Sequence, residues 1–222
     1  MDWQLATRVL ASVVFAYLVG GIPWALIIGL KFYRIDVRTQ GSGNLGATNV
    51  LRVLGARAAS ATFVLDVAKG SAAVGLAWFL VPADVFGAAA QQWVMIAATM
   101  AAILGHSYSP YIGFKGGKGV ATAAGGLLVL TPLPWPILFL TWLLVIALFR
   151  MVSLGSVVIA IEYPLLCLWL YPGDLVIIGF AVVAAALVIW RHRTNIVRIV
   201  RGQEARVSFK QRGDAARNKG GS

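Results

Sequence analysis

Residues 9–30 read VLASVVFAYLVGGIPWALIIGL, twenty-two positions without one Asp, Glu, Lys, Arg or His. A helix that crosses about 30 Å of hydrocarbon needs roughly 20 apolar residues, and this run supplies them. It is too long for the apolar region of a secretory leader, and no small-residue cleavage site followed by a soluble domain comes after it. It is therefore expected to remain in the chain as a membrane helix. Backbone polar groups in lipid must be satisfied inside helices or closed barrels, so this reading sets the class of the whole molecule.

Working outward, the pattern recurs. An apolar run from about Ala58 to Val81 carries Asp66 and Lys69 inside it. Trp93 to Leu104 and Val120 to Thr131 are shorter, with a polar glycine-rich segment between them. Ile137 to Phe149, Val152 to Leu170 and Leu175 to Trp190 complete the set. The expected fold is all-α: a polytopic membrane protein with seven transmembrane helices and glycine-rich cytosolic loops. Composition agrees, since the 222 residues are 59% hydrophobic and 12% charged, with a mean hydropathy of +0.82. A soluble domain carries about a quarter charged residues. Residues 1–204 read as one membrane domain and 205–222 as a basic cytosolic tail whose closing Gly-Gly-Ser looks like an added remnant.

A net charge of +11 would suggest nucleic acid in a soluble protein, but here orientation explains it. With the C-terminus inside, segments 31–57, 105–119, 150–151 and 191–222 hold five, two, one and nine Lys or Arg, 17 of the 19. The outer connections, 82–92, 132–136 and 171–174, hold none. The positive-inside rule then predicts an outside N-terminus and no nucleic-acid partner. The single cysteine, Cys167, excludes an intramolecular disulfide. The eight acids never cluster along the chain, which argues against a carboxylate-held metal and against a metal enzyme. No serine or cysteine stands in a nucleophile elbow. A substrate that brings its own reactivity is implied.

Three inside segments carry more than charge. In Gly41-Ser42-Gly43-Asn44-Leu45-Gly46-Ala47-Thr48-Asn49, glycines let backbone N–H groups converge on an anion while Ser42, Asn44, Thr48 and Asn49 add neutral donors. Arg52 follows on the same face of a starting helix and can fork onto phosphate. The plain alternative is a flexible polar turn. The second segment runs from His106 through Lys115-Gly116-Gly117-Lys118-Gly119 into a helix start at Val120. It combines free helix N–H groups with full charges, as a phosphate cradle does. It is not a nucleotide P-loop, because Gly119 rather than Ser or Thr follows Lys118. The third, His192 to Glu204, sets His192 and Asn195 on one helical face. Its alternative is a basic amphipathic helix resting on anionic lipid. Ser153 and Ser156 form a weaker fourth signal at the start of the sixth apolar run.

GSGNLGATNVLR at 41–52, DVAKG at 66–70, GFKGGKGVAT at 113–122, SLGS at 153–156 and NIVRIVRGQE at 195–204 together resemble the acyl-phosphate:glycerol-3-phosphate acyltransferase (PlsY) family of bacterial phospholipid synthesis. The resemblance implies an inner-membrane enzyme with a cytosolic site. Such an enzyme moves a fatty acyl group from acyl phosphate to the 1-position of glycerol 3-phosphate, giving lysophosphatidic acid and phosphate. It would work without a cofactor, acyl-CoA or acyl carrier protein. By resemblance the catalytic set is Ser42, Arg52, Lys118, His192, Asn195 and Glu204. Gly43, Asn44, Thr48, Asn49, His106, Lys115, Gly116, Gly117, Gly119 and Ser156 would bind substrate. His192 and Asn195 would orient the glycerol hydroxyl, Glu204 would brace the third segment, and Asp66 and Lys69 would form an ion pair. The rival reading is a membrane phosphate transporter, but the charged and glycine-broken segments collect on one side and no internal repeat is visible.

Overall fold

The computed structural model describes residues 3–207. Among these the regular structure is entirely helical: α1 (Trp3–Gly21), α2 (Trp24–Tyr33), α3 (Ala47–Leu54), α4 (Ala56–Leu80), α5 (Ala83–Phe86), α6 (Ala88–Ser107), α7 (Val120–Leu130), α8 (Trp135–Phe149), α9 (Val152–Leu170), α10 (Leu175–Arg191) and α11 (Arg193–Val200). One 3-10 turn, Pro110–Ile112, lies between α6 and α7.

The all-α membrane reading holds, while helix length and apolarity by themselves mark four or five crossings among the described residues rather than seven. All seven apolar runs are helical, yet only Trp3–Tyr33, Ala56–Leu80, Ala88–Ser107 and Val152–Leu170 have the length and apolarity to cross a membrane. A fifth span arises if α10 and α11 are taken together, although a 62° bend separates them. α7 has 11 residues and α8 has 15, about 17 and 22 Å of rise, shorter than the roughly 30 Å of an average hydrocarbon core. The deciding run itself is interrupted at Ile22–Pro23, because proline lacks the N–H that would continue the ladder. The helix of the third apolar run is longer than its apolar stretch implies. α6 starts at Ala88 because Gln91 Nε2 donates to Trp78 O at 3.1 Å and Gln92 Nε2 to Asp174 Oδ2 at 2.6 Å, anchoring the polar first turn.

Small residues let the helices approach. Ala16, Ala73, Ala77, Ala98 and Ala102 form much of the α1–α4–α6 core. At the α4–α7 crossing a Cβ on Gly125 would sit 1.9 Å from Val67 O, and Ser71 Oγ donates to Gly125 O at 2.9 Å. In lipid, apolar side chains gain little by leaving the solvent, so close backbone packing and such hydrogen bonds carry the association. The outer surface is what lipid requires: Leu10, Phe79, Leu148 and Leu165 are each at least 60% exposed. A second core joins Leu138 of α8, Tyr163 and Cys167 of α9, and Ile177 and Phe180 of α10. Past α11 the chain still packs: Val207 is buried, and its N–H and C=O pair with Arg150 O and Arg150 Nε at 2.7 and 3.0 Å. The expected domain boundary at residue 204 lies inside this packed stretch, and the tail from residue 208 lies outside the described residues.

Candidate active site

After the 62° bend that follows α10, Asn195 of α11 meets Lys118 just ahead of the start of α7. α7 begins at Val120 with no side chain capping it, so its first N–H groups remain available. Gly119 takes φ +81°, a conformation that sets Lys118 just ahead of that helix end and that a side chain would resist. Arg191 Nη2 donates to Gly117 O, and its guanidinium lies 5.2 Å over the Tyr108 ring, so α10 clamps the loop.

From Lys118 a chain of hydrogen bonds runs through the third segment. Lys118 Nζ donates to Asn195 Oδ1, and Asn195 Nδ2 donates to Glu204 Oε1 at 2.7 Å. Lysine only donates and a carboxylate only accepts, so the Asn195 amide has a single consistent orientation. Glu204 also accepts from Ser153 Oγ and Arg198 Nε, both at 2.8 Å. Burial works to raise the Glu204 carboxyl, but the bonds from Arg198, Asn195 and Ser153 outweigh it and hold the acid below its ordinary range. Burial depresses Lys118 to about 8, with Glu204 opposing and Arg198, Arg191 and Arg52 pressing the same way. His192, just beyond the last residue of α10, is buried and falls to about 4, first through burial and then through the Lys118 charge. Its Nδ1 lies 2.8 Å from Val188 O. A carbonyl can only accept, so Nδ1 carries the proton and Nε2 keeps the lone pair.

The first segment divides in two. Asn49 is buried and staples its own loop: Oδ1 accepts from Ser42 N and Oγ at 2.8 and 3.1 Å, and Nδ2 donates to Val37 O and Gln40 O at 2.9 and 3.2 Å. Four internal bonds make it a brace for Ser42, Gly43 and Asn44 rather than a free donor. Thr48 is half-buried in the first turn of α3. Arg52 is different, because its Nε is buried without a hydrogen-bond partner. It also lies close enough to Lys118 for its charge to be felt there.

His106 departs from the reading as a substrate-binding group. Its Nδ1 sits 3.0 Å from Lys69 Nζ, which is itself 2.8 Å from Asp66 Oδ1 and from Ile22 O. All three side chains are buried, and the His106 ring packs under Gly117, where a Cβ would meet Nε2 at 2.2 Å. His106 O accepts from Gly117 N at 3.1 Å. This trio supports the loop from beneath, and Gly116 and Gly117 are the residues that fit over it. Lys115 is exposed and contributes its backbone, pairing with Ser109, so only one of the two loop lysines reaches the cluster.

Below the cluster opens an apolar channel of about 970 Å³, counting the space that is open to its surroundings. Lys118 and Ser156 are at its polar end; Ala124, Trp142, Ala160 and Phe180 are among its walls. Ser156 Oγ donates to Val152 O at 3.0 Å, which leaves its lone pairs facing outward from that bond. Reasoning from sequence missed Arg191 and the channel, and it marked Ser153 only as a weak hydroxyl signal without a role. Arg191 adjoins His192 and Ser153 begins the SLGS motif, so both were within reach, whereas the channel is built of alanines and aromatics with no chemical signature.

The profile of the Glycerol-3-phosphate acyltransferase family matches residues 10–202. The chain belongs to the glycerol-3-phosphate acyltransferase family. A glycerol-3-phosphate acyltransferase of Shouchella clausii is 42% identical over 209 residues, covering 93% of this chain and 99% of the relative. One from Thermosynechococcus vestitus is 40% identical, covering 88% and 93%. The crystal structure of PlsY (YgiH), an integral membrane glycerol 3-phosphate acyltransferase in its glycerol 3-phosphate form, superposes with a TM-score of 0.79 at 39% identity, covering 90% of this chain and 96% of that one. The lysophosphatidic acid form of PlsY gives 0.76 at 37% identity. A membrane glycerol-3-phosphate acyltransferase is the class these agree on.

Proposed function

We propose that this enzyme takes its acyl group from acyl phosphate and transfers it to the 1-hydroxyl of sn-glycerol 3-phosphate, releasing lysophosphatidic acid and phosphate. The observation that carries the reading is the junction of the Lys118–Ser156 end with the apolar channel. An anionic head joined to an alkyl chain fits that shape. Lys118, Ser156 and the free N–H groups of α7 would hold the acyl-phosphate head. Arg52, Ser42 and the Asn49-braced loop would hold the phosphate of the acceptor.

The chemistry needs little from the protein beyond placement. The acceptor hydroxyl attacks the acyl carbonyl carbon, the carbonyl–phosphate bond breaks, and a phosphate oxygen takes the hydroxyl proton. Acyl phosphate is a mixed anhydride, so its phosphate leaves without an enzymic acid. Neutral His192, with Nε2 as acceptor, would point the hydroxyl at the carbonyl, and Asn195 would fix both Lys118 and the His192 turn. Holding two reactants in attack geometry supplies about 7–11 kcal/mol. Lys118 and the helix N–H groups add stabilisation of the developing oxyanion. No cofactor and no metal enter this scheme. The distribution of 17 of 19 basic residues supports a cytosolic-facing site with the N-terminus outside, and the family resemblance supports a bacterial inner membrane.

The test is phosphate release from hexadecanoyl phosphate by the purified protein, with and without glycerol 3-phosphate, in excess EDTA. Release that requires glycerol 3-phosphate and appears with equimolar lysophosphatidic acid is expected. Activity absent in EDTA and restored by Mg²⁺, or a requirement for acyl-CoA, would refute the scheme.

A further inference from the structure

The channel that begins at Lys118 and Ser156 has a structured far end. Along α9, Ser156, Ala160 and Tyr163 follow one another down one face; along antiparallel α10, Val188, Ala184 and Phe180 do the same. The middle layer is therefore small, Ala160 and Ala184, and the last layer is large. Tyr163 and Phe180 meet edge to face with ring centroids 6.4 Å apart. Tyr163 OH is fixed by Thr131 Oγ1 at 3.0 Å, so the ring cannot swing away without breaking a buried hydrogen bond. Beneath the two rings the packing is solid: Cys167 is 0% exposed and Ile177 3%. An alkyl chain advancing from the polar end meets a wall backed by core.

Resting on the acyl-phosphate reading, we infer that the Tyr163–Phe180 pair is an end-stop that sets how long an acyl chain the enzyme accepts. Selection here has to be steric. A donor arrives from lipid, where its methylenes are already in an apolar medium, so each extra channel contact gains little. Length is then discriminated by what the floor excludes. The levels of Ala184 and Phe180 differ by four helical residues, about 6 Å. Filling the alanine layer should shorten the channel by that amount, and removing the Phe180 ring should deepen it.

The experiment is an internal competition: wild type, Ala184→Leu, Ala160→Leu, Phe180→Ala and Tyr163→Phe each receive equimolar dodecanoyl and octadecanoyl phosphate with glycerol 3-phosphate. The ratio of the two products is read by mass spectrometry. Because both products come from the same molecules, a misfolded fraction cancels from the ratio. Ala184→Leu and Ala160→Leu should move it at least tenfold toward the shorter chain, and Phe180→Ala several-fold toward the longer. Tyr163→Phe, which keeps the ring, should move it less than Phe180→Ala. Ratios within twofold of wild type in both the filling and the Phe180→Ala variants overturn the end-stop while leaving the acyl-phosphate reading intact. A wild type that makes neither product overturns that reading and the end-stop with it.

Discussion

Two clusters of charge lie near each other in this protein and are built on opposite principles. In the Asp66–Lys69–His106 trio, the Lys69 ammonium has three acceptors around it, Asp66 Oδ1, Ile22 O and His106 Nδ1, all within 3.0 Å. One acid faces one lysine, and the group is sealed from solvent. In the loop cluster, Glu204 is the acid that attracts Lys118, while Arg52, Arg191 and Arg198 all press on the same lysine. Lys118 donates to Asn195, and Arg52 Nε has no hydrogen-bond partner among the described residues. A buried donor left unfilled costs free energy unless something fills it during function. Charge matched one to one is scaffold; cation excess is where anions belong.

The largest expected effect breaks the second cluster. Lys118→Ala should be close to inactive, and Arg52→Lys badly impaired although the charge is kept, because an ammonium cannot reproduce the guanidinium fork. Losing one charged partner of a desolvated phosphate costs about 2–5 kcal/mol, roughly 30- to 5,000-fold in catalytic efficiency. Steady-state kinetics on detergent-purified variants with native melting temperatures are the check. Near-wild-type constants for both substrates would remove these residues from the site.

Breaking the first cluster should do the reverse. Asp66→Asn leaves a buried lysine without its counter-charge, a loss of about 3–5 kcal/mol in stability. Thermal unfolding should reveal a large drop, while turnover per folded molecule falls far less than in Lys118→Ala. A native melting temperature combined with lost turnover would mean that the trio takes part in the chemistry.

The comparison also explains what was legible in the sequence. Apolar periodicity located all seven hydrophobic helices, because lipid makes composition dominate. It did not mark the break at Pro23 or the 11-residue length of α7, which depend on local backbone chemistry and on packing against neighbours. Motif chemistry singled out Lys118, Asn195 and Glu204 separately, and the fold joins them by hydrogen bonds. It could not tell filled donors from empty ones: Asn49 and His106 have the same residue types as ligand groups, and only their partners in space reveal that they are braces. The apolar channel was invisible because alanine says nothing until its opposite wall is known.

A smaller effect sharpens the cluster's electrostatics. Lys118 is held near 8, so its cation is complete well below that pH and is lost as pH rises through it. Phosphate binding favours the charged form, and above pH 8 it must take up a proton. The KM of the substrate bound there should then rise about tenfold per pH unit on the alkaline side. Lys118→Arg, if it retains measurable activity, should lack this limb between pH 8 and 10, since guanidinium does not titrate there. Glu204→Gln removes an influence that raises the lysine's pKa, so it should move the limb to lower pH. An alkaline limb that is unchanged in Lys118→Arg would belong to another group.

The smallest effect comes at the outer end of the hydrogen-bond chain. Arg198 Nε is 2.8 Å from Glu204 Oε2, but the arginine side chain is 48% exposed whereas the Glu204 side chain is 3% exposed. Water can therefore replace the guanidinium at little cost, and exposed pairs of this kind are worth roughly 0.2–1 kcal/mol. Glu204 keeps Ser153 and Asn195 as donors when Arg198 is removed, so the carboxylate stays oriented and Lys118 keeps its tether. Arg198→Ala should consequently lower catalytic efficiency by no more than about fivefold. The loss should shrink further in high salt, which already screens the pair. Asn195→Ala, by contrast, cuts the chain between Lys118 and Glu204 and should cost far more with the same change in side-chain size or less. Measuring both variants at low and high ionic strength separates the cases. If Arg198→Ala matched Asn195→Ala in loss and ignored salt, Arg198 would be touching substrate, and the cluster's edge would have to be redrawn to include it.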